Sequence, residues 1–416
     1  MIKLLVIADD FTGAMDTGVQ FAKKSIASLV KITTVGDKLE DAFRTADCEV
    51  LVLDIESRHI APKQATLLVA KVVKQALACG VEYIYKKTDS TLRGNIGSEL
   101  TALLKTMQAK ELVFIPAFPQ AGRITRNGLH YVNSNPLAQS EYAKDPFNPV
   151  LSSNVHDIIR EQSSIPIREI HQGEYSILLE KTCGLEMISI VDATTTEDLK
   201  KVGEVLAKAG KLRCLAGCAG FAETLTDFLN LKRTPLPYGS NRGEKLLISG
   251  SLNTLARRQV QYAEAVCGYT RMEFPDISRY AGDNDNLMND FVRFALNQLK
   301  GTGKLVIETP QVKKNAQQVQ SRFIALMGKV TSSIMNHADI GTLIVFGGDT
   351  LMGIMNELQC DTLQPIQEVD SGVVYAKPYK KGCGFEIITK AGGLGKEDVA
   401  KRIDAFLDGI EIAHEA

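Results

Sequence analysis

A polar loop at residues 86–95 carries the residue types best suited to binding a small acidic molecule. Its sequence is Lys86-Lys87-Thr88-Asp89-Ser90-Thr91-Leu92-Arg93-Gly94-Asn95. Lys and Arg bind carboxylates or phosphates, Lys as a movable point charge and Arg as a planar fork. An Asp beside them can accept a hydrogen bond, or a proton, from a substrate hydroxyl. The loop therefore predicts substrate contacts from Lys87, Thr88, Asp89, Ser90 and Arg93. The alternative is a solvated loop that caps the next helix through Asp89 or Ser90.

Two adjacent carboxylates, Asp9 and Asp10, follow the apolar run 2–8, which is typical of a buried parallel strand. Like charges repel when they are buried together, so the pair predicts a hydroxyl-binding, metal-binding or basic role. One of the two could instead cap the following helix. Arg58 follows the next apolar strand, 50–54, and is either a second anion clamp or an exposed loop arginine.

A segment rich in turn residues extends from 116 to about 149 and reads as irregular. Loops of this length in compact domains are usually functional, so Arg123, Arg126 and His130 are candidate substrate contacts. A structural role is the stronger interpretation for His130, because a lone histidine needs a partner before it implies chemistry.

Three glycine-bearing loops follow strands in the last 170 or so residues, and each precedes a helix. They are Ser249-Gly250-Ser251-Leu252-Asn253-Thr254, Gly347-Gly348-Asp349-Thr350 and Thr389-Lys390-Ala391-Gly392-Gly393-Leu394-Gly395. Glycine lets backbone N–H groups approach a phosphate, and a helix N-terminus adds partial positive charge. The pattern predicts nucleotide or phosphate binding; the alternative is three tight turns. The candidate nucleotide-binding residues are Ser249, Ser251, Gly347, Gly348, Asp349, Thr350, Gly392 and Gly393.

The familiar nucleotide-binding motifs are absent from the sequence. Gly395-Lys396 is followed by Glu397, and no glycine stands five positions earlier, so it is not a P-loop. No G-x-G-x-x-G follows a strand, which counts against a Rossmann dinucleotide-binding site. No protein-kinase catalytic loop is present.

The elements that must position these loops alternate between strand and helix, which predicts βαβ units and parallel pairing. Strands are expected near 2–8, 50–54, 81–85, 111–115, 188–191 and 212–216, and helices near 62–78, 96–107 and 219–231. The fold class is therefore α/β, with two domains that each contain a mainly parallel or mixed sheet flanked by helices. Two prolines and two glycines mark a linker at about 233–244, between domains 1–236 and 245–416.

The composition of the chain excludes some classes of binding partner. Its 416 residues carry a net charge of −1, which argues against a nucleic-acid-binding surface. No apolar run approaches the ~20 residues of a membrane span, and no targeting segment is evident. The eight cysteines are scattered and complete no zinc pattern, as in a reduced cytoplasmic protein. We expect small-molecule partners, no nucleic acid, no membrane, and a possible homo-oligomer.

Four motifs together resemble those of the four-carbon acid sugar kinases, in the same order and across the whole chain. They are Ile7-Ala8-Asp9-Asp10-Phe11-Thr12-Gly13-Ala14, Lys87-Thr88-Asp89-Ser90-Thr91-Leu92-Arg93-Gly94-Asn95, Gly347-Gly348-Asp349-Thr350 and Lys390-Ala391-Gly392-Gly393. The resemblance implies an N-terminal acid-sugar-binding domain, a C-terminal ATP-binding domain, and ATP-dependent phosphorylation of a tetronate at its terminal hydroxyl. The second motif is more similar to the D-threonate and D-erythronate kinases than to the 3-oxotetronate kinases. Leu394 stands where the third turn is expected to carry an aromatic residue.

Carried over by motif, Asp9 or Asp10, Arg58 and Lys87 to Ser90 would hold the sugar acid. Ser251, Gly347 to Thr350, and Gly392 or Gly393 would hold ATP. Phosphoryl transfer needs positioning and charge neutralisation, so Mg²⁺ is the expected cofactor, with Asp349 or Thr350 as a direct or water-mediated contact. Asp10 is our first choice of catalytic base and Asp89 our second. A hinge is expected near 235–243. The alternatives are a 3-oxotetronate kinase, a kinase of another small sugar acid, a sugar-acid dehydrogenase and a non-catalytic binding protein.

Overall fold

A computed structural model describes residues 1–33, 38–145, 147–182, 184–234, 236, 243–276, 285–310, 317–379 and 383–409. The chain divides into two compact units, Met1–Leu236 (unit 1) and Pro237–Ala416 (unit 2). Most of the predicted linker and hinge, residues 235 and 237–242, lies outside the described residues.

The main sheet of unit 1 is parallel throughout. Its strands are β1 (Leu4–Ala8), β2 (Ser28–Ile32), β3 (Val50–Asp54), β4 (Tyr83–Lys87), β5 (Glu111–Ile115), β9 (Ile167–Ile170), β10 (Met187–Val191) and β11 (Cys214–Gly217). Its helices are α1 (Phe11–Lys23), α2 (Glu40–Thr45), α3 (Pro62–Ala78), α4 (Ile96–Thr106), α5 (Val155–Arg160), α6 (Thr196–Ala209) and α7 (Ala219–Leu225). The strand order is β2-β3-β1-β4-β11-β5-β10-β9. Because β3, β1 and β4 are neighbours, their carboxyl ends bring the candidate substrate residues to one edge.

Glycine allows the late strand β11 to fit between β4 and β5. A Cβ on Gly217 would overlap the carbonyl oxygen of Ile115 and reach within 2.5 Å of the Tyr85 hydroxyl. That hydroxyl donates a 2.7 Å hydrogen bond to the carbonyl of Cys218. The amide of Thr88 donates to the carbonyl of Gly217 at 2.8 Å. The candidate substrate loop therefore rests directly on β11.

The sequence suggested that the turn-rich segment is irregular, but part of it is regular. It folds into a small antiparallel sheet of β6 (Arg123–Arg126), β7 (Leu129–Val132) and β8 (Asn135–Pro136). The two-residue loops Asn127-Gly128 and Asn133-Ser134 join these strands, and all four residues have positive φ. Positive φ at both central positions defines the type I′ turn, which matches the twist of short hairpins. Asn-Gly is the sequence signal for such a turn, and Asn127-Gly128 carries it.

Unit 2 contains a mixed sheet. Its strands are β12 (Glu244–Ser249), β13 (Thr270–Glu273), β14 (Lys304–Glu308), β15 (Ile340–Phe346), β16 (Thr362–Asp370), β17 (Val373–Pro378) and β18 (Glu386–Lys390). Its helices are α8 (Thr254–Cys267), α9 (Asp285–Thr302), α10 (Gln317–His337), α11 (Gly348–Glu357) and α12 (Val399–Leu407). The order is β13-β14-β12-β15-β18-β17-β16, parallel as far as β18 and antiparallel beyond it. The predicted fold class, two α/β domains with mainly parallel or mixed sheets flanked by helices, is confirmed.

Some element boundaries differ from the predicted ones. The strand expected at 81–85 is β4, Tyr83–Lys87, so Lys86 and Lys87 belong to the sheet rather than to the loop. The helix expected at 219–231 ends at Leu225, beyond which the amide of Phe228 bonds to the carbonyl three residues back. Among the described residues, each helix is too short or too polar to cross a lipid bilayer.

Candidate active site

Arg58 lies at the centre of a carboxylate cluster beyond β1, β3 and β4. Its Nε and Nη2 contact the two oxygens of Asp9 at 2.8 and 3.1 Å, and its Nη1 contacts Asp10 Oδ2 at 2.6 Å. Asp89 Oδ1 is 3.5 Å from Nη2. Arg58 is buried, so it is not an exposed loop arginine. Burial alone would raise the pKa of Asp9, but the charges of Arg58 and Lys86 lower it below its usual range. The guanidinium thus organises three carboxylates.

Asp89 is fixed as a carboxylate by a second arginine. Arg93 Nε contacts Asp89 Oδ2 at 2.7 Å and Nη2 contacts Oδ1 at 3.1 Å, while the Thr91 hydroxyl donates to Oδ2 at 2.5 Å. Although burial opposes ionisation, Arg93 and Arg58 hold the pKa of Asp89 well below its usual range. A carboxylate stabilised in this way is a weak base. Asp89 does not cap the next helix either, since α4 begins after Asn95 without a side-chain cap.

Asp10 is the most accessible of the three carboxylates around Arg58. Its side chain is 23% exposed, against 2% for Asp9 and 10% for Asp89. One oxygen caps α1 by accepting from the amide of Gly13 at 2.9 Å, and the other contacts Arg58. A carboxylate has about four lone-pair positions, so Asp10 can still accept a bond from a ligand.

Lys87 points its ammonium towards the same place. Its Nζ and Asp10 Oδ1 lie 2.8 and 2.5 Å from the position that a Cβ on Gly13 would occupy. The ammonium donates to the carbonyl of Thr88 at 2.9 Å. In the part of the chain that the structure describes, no carboxylate oxygen lies within 4.0 Å of it. Lys87 therefore combines a buried position with an available charge, beside the accessible carboxylate Asp10.

His130 supports the loop from below rather than facing a ligand. It is fully buried, with Nε2 2.9 Å from the Ser90 carbonyl and Nδ1 3.0 Å from the Thr125 hydroxyl. Burial lowers the pKa of His130 to about 4, so the ring is neutral; Nε2–H donates to the carbonyl, and Nδ1 accepts from Thr125.

The two candidate arginines of this segment lie elsewhere. Arg126 is exposed and packs over the ring of Tyr131. Arg123 contacts the carbonyl of Ala121. Neither joins the cluster around Arg58.

A buried ion pair beneath the site was not predicted from the sequence. Lys86 Nζ lies 3.1 Å from Glu99 Oε2 and donates to the carbonyls of Ile7 and Lys87. Ser57 donates to the other oxygen of Glu99. Asn95 Nδ2 donates to the carbonyl of Ser57 at 2.7 Å. These bonds tie the loop before Arg58 to the loop after β4, so the pair positions the site without being exposed to it.

Removing one member of this pair is expected to destabilise the protein strongly. Glu99→Leu leaves the buried Lys86 ammonium without its ion-pair partner, which should lower the free energy of unfolding by about 3–5 kcal/mol. The double variant Lys86→Met/Glu99→Leu removes both charges and should lose less than the single variant. Urea unfolding followed by circular dichroism measures both. A Glu99→Leu protein as stable as the parent would contradict the pairing.

The three glycine-bearing loops of unit 2 meet at the carboxyl ends of β12, β15 and β18. A Cβ on Gly250 would overlap Thr350 Oγ1, and a Cβ on Gly392 would overlap Ser251 Oγ. Gly347 precedes α11 with φ +119°, a conformation that favours glycine. The first N–H groups of α11, from Gly348 to Thr350, have no partner within the helix. The loops thus form one cluster of backbone donors.

Not every predicted nucleotide contact is equally placed. Ser249 is buried at the end of β12, and its carbonyl accepts from the amide of Thr309. Asp349 is exposed, whereas Thr350 is buried against Gly250. Lys390, a motif residue that was not among the predicted nucleotide contacts, is buried within the same loop cluster.

Two family models match consecutive parts of the chain. Residues 4–225 match the model of a sugar-binding N-terminal domain, and residues 246–400 match that of a nucleotide-binding C-terminal domain. Together with relatives that are kinases over nearly the full chain, these two domains identify the protein as a two-domain carbohydrate kinase. The chain belongs to the four-carbon acid sugar kinase family, which confirms the predicted resemblance.

Several curated relatives align over nearly the full chain. A D-threonate kinase of Salmonella typhimurium is 33% identical over 95% of this chain and 96% of its own. A D-erythronate kinase of Heliobacterium modesticaldum is 28% identical over 96% of both chains. A 3-oxo-tetronate kinase of Pseudomonas fluorescens is 24% identical over 94% of both.

Two solved structures share the fold. One is a Haemophilus influenzae protein with a TM-score of 0.74 and 19% identity, covering 97% of this chain and 100% of its own. The other is from Salmonella typhimurium, with a TM-score of 0.79 and 20% identity, covering 97% and 99%.

Proposed function

We propose that this chain is an ATP-dependent kinase that phosphorylates the terminal (4-) hydroxyl of a four-carbon sugar acid such as D-threonate or D-erythronate. The observation that carries the proposal is the location of Asp10, an accessible carboxylate, beside Lys87, an ammonium that forms no ion pair with a carboxylate among the described residues. A sugar acid offers a hydroxyl and a carboxylate to two such groups. The D-threonate and D-erythronate kinases are 33% and 28% identical to this chain.

In this proposal, Lys87 binds the substrate carboxylate and Asp10 accepts the proton of the attacking hydroxyl. Arg58 was expected to contact the substrate carboxylate as well, but its guanidinium already contacts Asp9, Asp10 and Asp89. We therefore assign Arg58 chiefly to holding these carboxylates in place. The hydroxyls of Thr88 and Ser90 remain candidate contacts for the substrate hydroxyls.

We assign the ATP phosphates to the backbone N–H groups of the glycine loops and to Ser251. Because Ser249 is buried at its strand end, we assign it to the support of the loop. Mg²⁺ fits the donors present: it is usually held by one or two carboxylates and by substrate phosphates, and Asp349 and Thr350 supply one carboxylate and one hydroxyl. Among the described residues, no group of three His, Cys, Asp or Glu could hold a metal ion, which suits an ion carried on the nucleotide.

The experiment is a screen of four-carbon acids with ATP and Mg²⁺, read as ADP release. D-threonate, D-erythronate, their L-isomers and 3-oxo-tetronate form the panel, and ³¹P NMR of the product locates the new phosphate ester. We expect acid-dependent ADP release and a phosphomonoester on C4. Turnover confined to 3-oxo-tetronate would transfer the assignment to that substrate class. ADP release that does not depend on any acid would contradict the proposal.

A further inference from the structure

Lys390 is the last residue of β18 and is buried at the base of the third glycine loop. Its Nζ donates to two successive carbonyls of that turn, those of Ala391 at 3.0 Å and Gly392 at 3.2 Å. The ammonium also lies 4.4 Å from the centre of the Phe346 ring, on the neighbouring strand β15. The side chain thus curls under its own turn instead of extending to solvent.

These two bonds orient the N–H groups of the turn. The C=O of Ala391 and the N–H of Gly392 belong to one trans peptide unit and point in opposite directions; so do the C=O of Gly392 and the N–H of Gly393. When Lys390 draws both carbonyls towards itself, both N–H groups point away from it. Neither has an acceptor among the described residues. Successive unpaired N–H groups form an anion-binding concavity.

The ionisable groups on the elements packed against Lys390 do not form ion pairs with its amine. These are Asp349 and Glu357 on α11, Tyr375 and Lys377 on β17, and Glu386 at the far end of β18; β15 carries none. No described carboxylate forms an ion pair with Lys390 Nζ. Burial lowers the pKa of Lys390 to about 7. The amine is therefore largely neutral at pH 8.

We propose that Lys390 is a positioning residue of the nucleotide site, which holds the Gly392-Gly393 turn with its N–H groups directed at the phosphate oxygens. The inference rests on the proposed ATP site and adds to it a residue that touches the turn rather than the nucleotide. A phosphate bound on the turn favours the protonated amine, since an opposite charge nearby raises the pKa of a lysine. ATP binding at pH 8 is then coupled to the uptake of a proton by Lys390.

Calorimetric titration with Mg-ATP at pH 8, in buffers of different ionisation enthalpy, tests both parts. For the wild type we expect uptake approaching one proton. Lys390→Met should bind at least ~10-fold more weakly, about 1.4 kcal/mol, without that uptake. Lys390→Arg keeps a cation that never deprotonates, so it should recover part of the affinity while still showing no proton uptake. The uptake separates this role from a purely structural one.

Lys245→Met is the matched control. Lys245 is a half-buried lysine at the opposite end of β12, where its partner Asp404 keeps a second lysine, Lys304. Its replacement should leave both affinity and proton uptake unchanged.

The outcomes separate the inference from the proposed function. If the wild type binds Mg-ATP and Lys390→Met matches it in affinity and proton uptake, the role of Lys390 is refuted while the ATP site stands. If the wild type does not bind Mg-ATP, the proposed site fails and the inference fails with it. Should Lys390→Met not fold, the wild type and Lys390→Arg decide: equal proton uptake in the two would refute the role of Lys390.

Discussion

An Asp10→Asn enzyme is expected to phosphorylate its tetronate with a kcat at least ~100-fold below that of the parent, in line with the loss of a general base. Asn is as good an N-cap as Asp, so the bond from the amide of Gly13 and the start of α1 should persist. Arg58 keeps its paired contact with Asp9 when the Asp10 contact is lost. The change therefore removes proton acceptance with little effect on the fold, and Mg-ATP affinity should not change.

Steady-state kinetics and calorimetry on the same preparation check this expectation. Asp157→Asn is the control, because Asp157 lies in the first turn of α5 with its side chain 62% exposed. It loses a carboxylate of the same unit outside the cluster and should keep the parental kcat. A near-normal kcat in Asp10→Asn would leave no role for Asp10 as the base. Asp89 is a poor substitute, because its arginine partners hold its pKa well below the usual range and so make it a weak base.

Gly392→Ala should raise the dissociation constant for Mg-ATP by at least ~10-fold, about 1.4 kcal/mol. The φ of Gly392 is not in the left-handed region, so alanine can adopt its backbone conformation and the effect is steric. The new Cβ would overlap the Ser251 side chain and force apart two of the loops assigned to the phosphates. Affinity for the sugar acid should not change, since the sugar-acid residues all belong to unit 1.

Gly301→Ala provides the comparison for this variant. Gly301 lies in α9, also without a left-handed φ, and a Cβ there would meet no atom within 4 Å. Thermal melting and calorimetric ATP titration of both variants separate folding from binding. A folded Gly392→Ala protein with parental ATP affinity would falsify the assignment of this turn to phosphate.

The architecture was predictable because its signals are local. Apolar runs such as 50–54 and 111–115 mark buried strands, and the helical spacing within 62–78 gives α3 with the predicted bounds. The hairpins at Asn127-Gly128 and Asn133-Ser134 were missed because their strands are only two to four residues long. Strands this short are too brief to show a clear alternation.

The site was predictable in its residue types but not in its contacts. Asp9, Asp10 and Arg58 were recognised one by one, yet nothing in the sequence shows that Arg58 would be taken up by carboxylates 48 and 49 residues away. Glu99 resembles an ordinary acidic residue in the first turn of a helix, and only the fold reveals that it lies against Lys86. Lys390 was not recognised as a site residue, because its role depends on its side chain folding back onto its own turn. The long-range contacts of Arg58 and Glu99 depend on strand order, which composition and periodicity do not encode.

The position of β11 has a consequence for how the chain is made. Ribosomes release the polypeptide from its N-terminus, and β11 ends about 100 residues after β5. At a synthesis rate of roughly 5–20 residues per second, β11, which lies between β4 and β5, is therefore completed roughly 5–20 s after β5. During that interval their facing edges are unpaired, and a nascent chain could join them to each other in a non-native sheet. The loop at Lys87–Ser90 can reach its final form only afterwards, so acid-sugar binding by nascent chains should begin abruptly once residue 217 has emerged, and chaperones that shield strand edges should raise the yield.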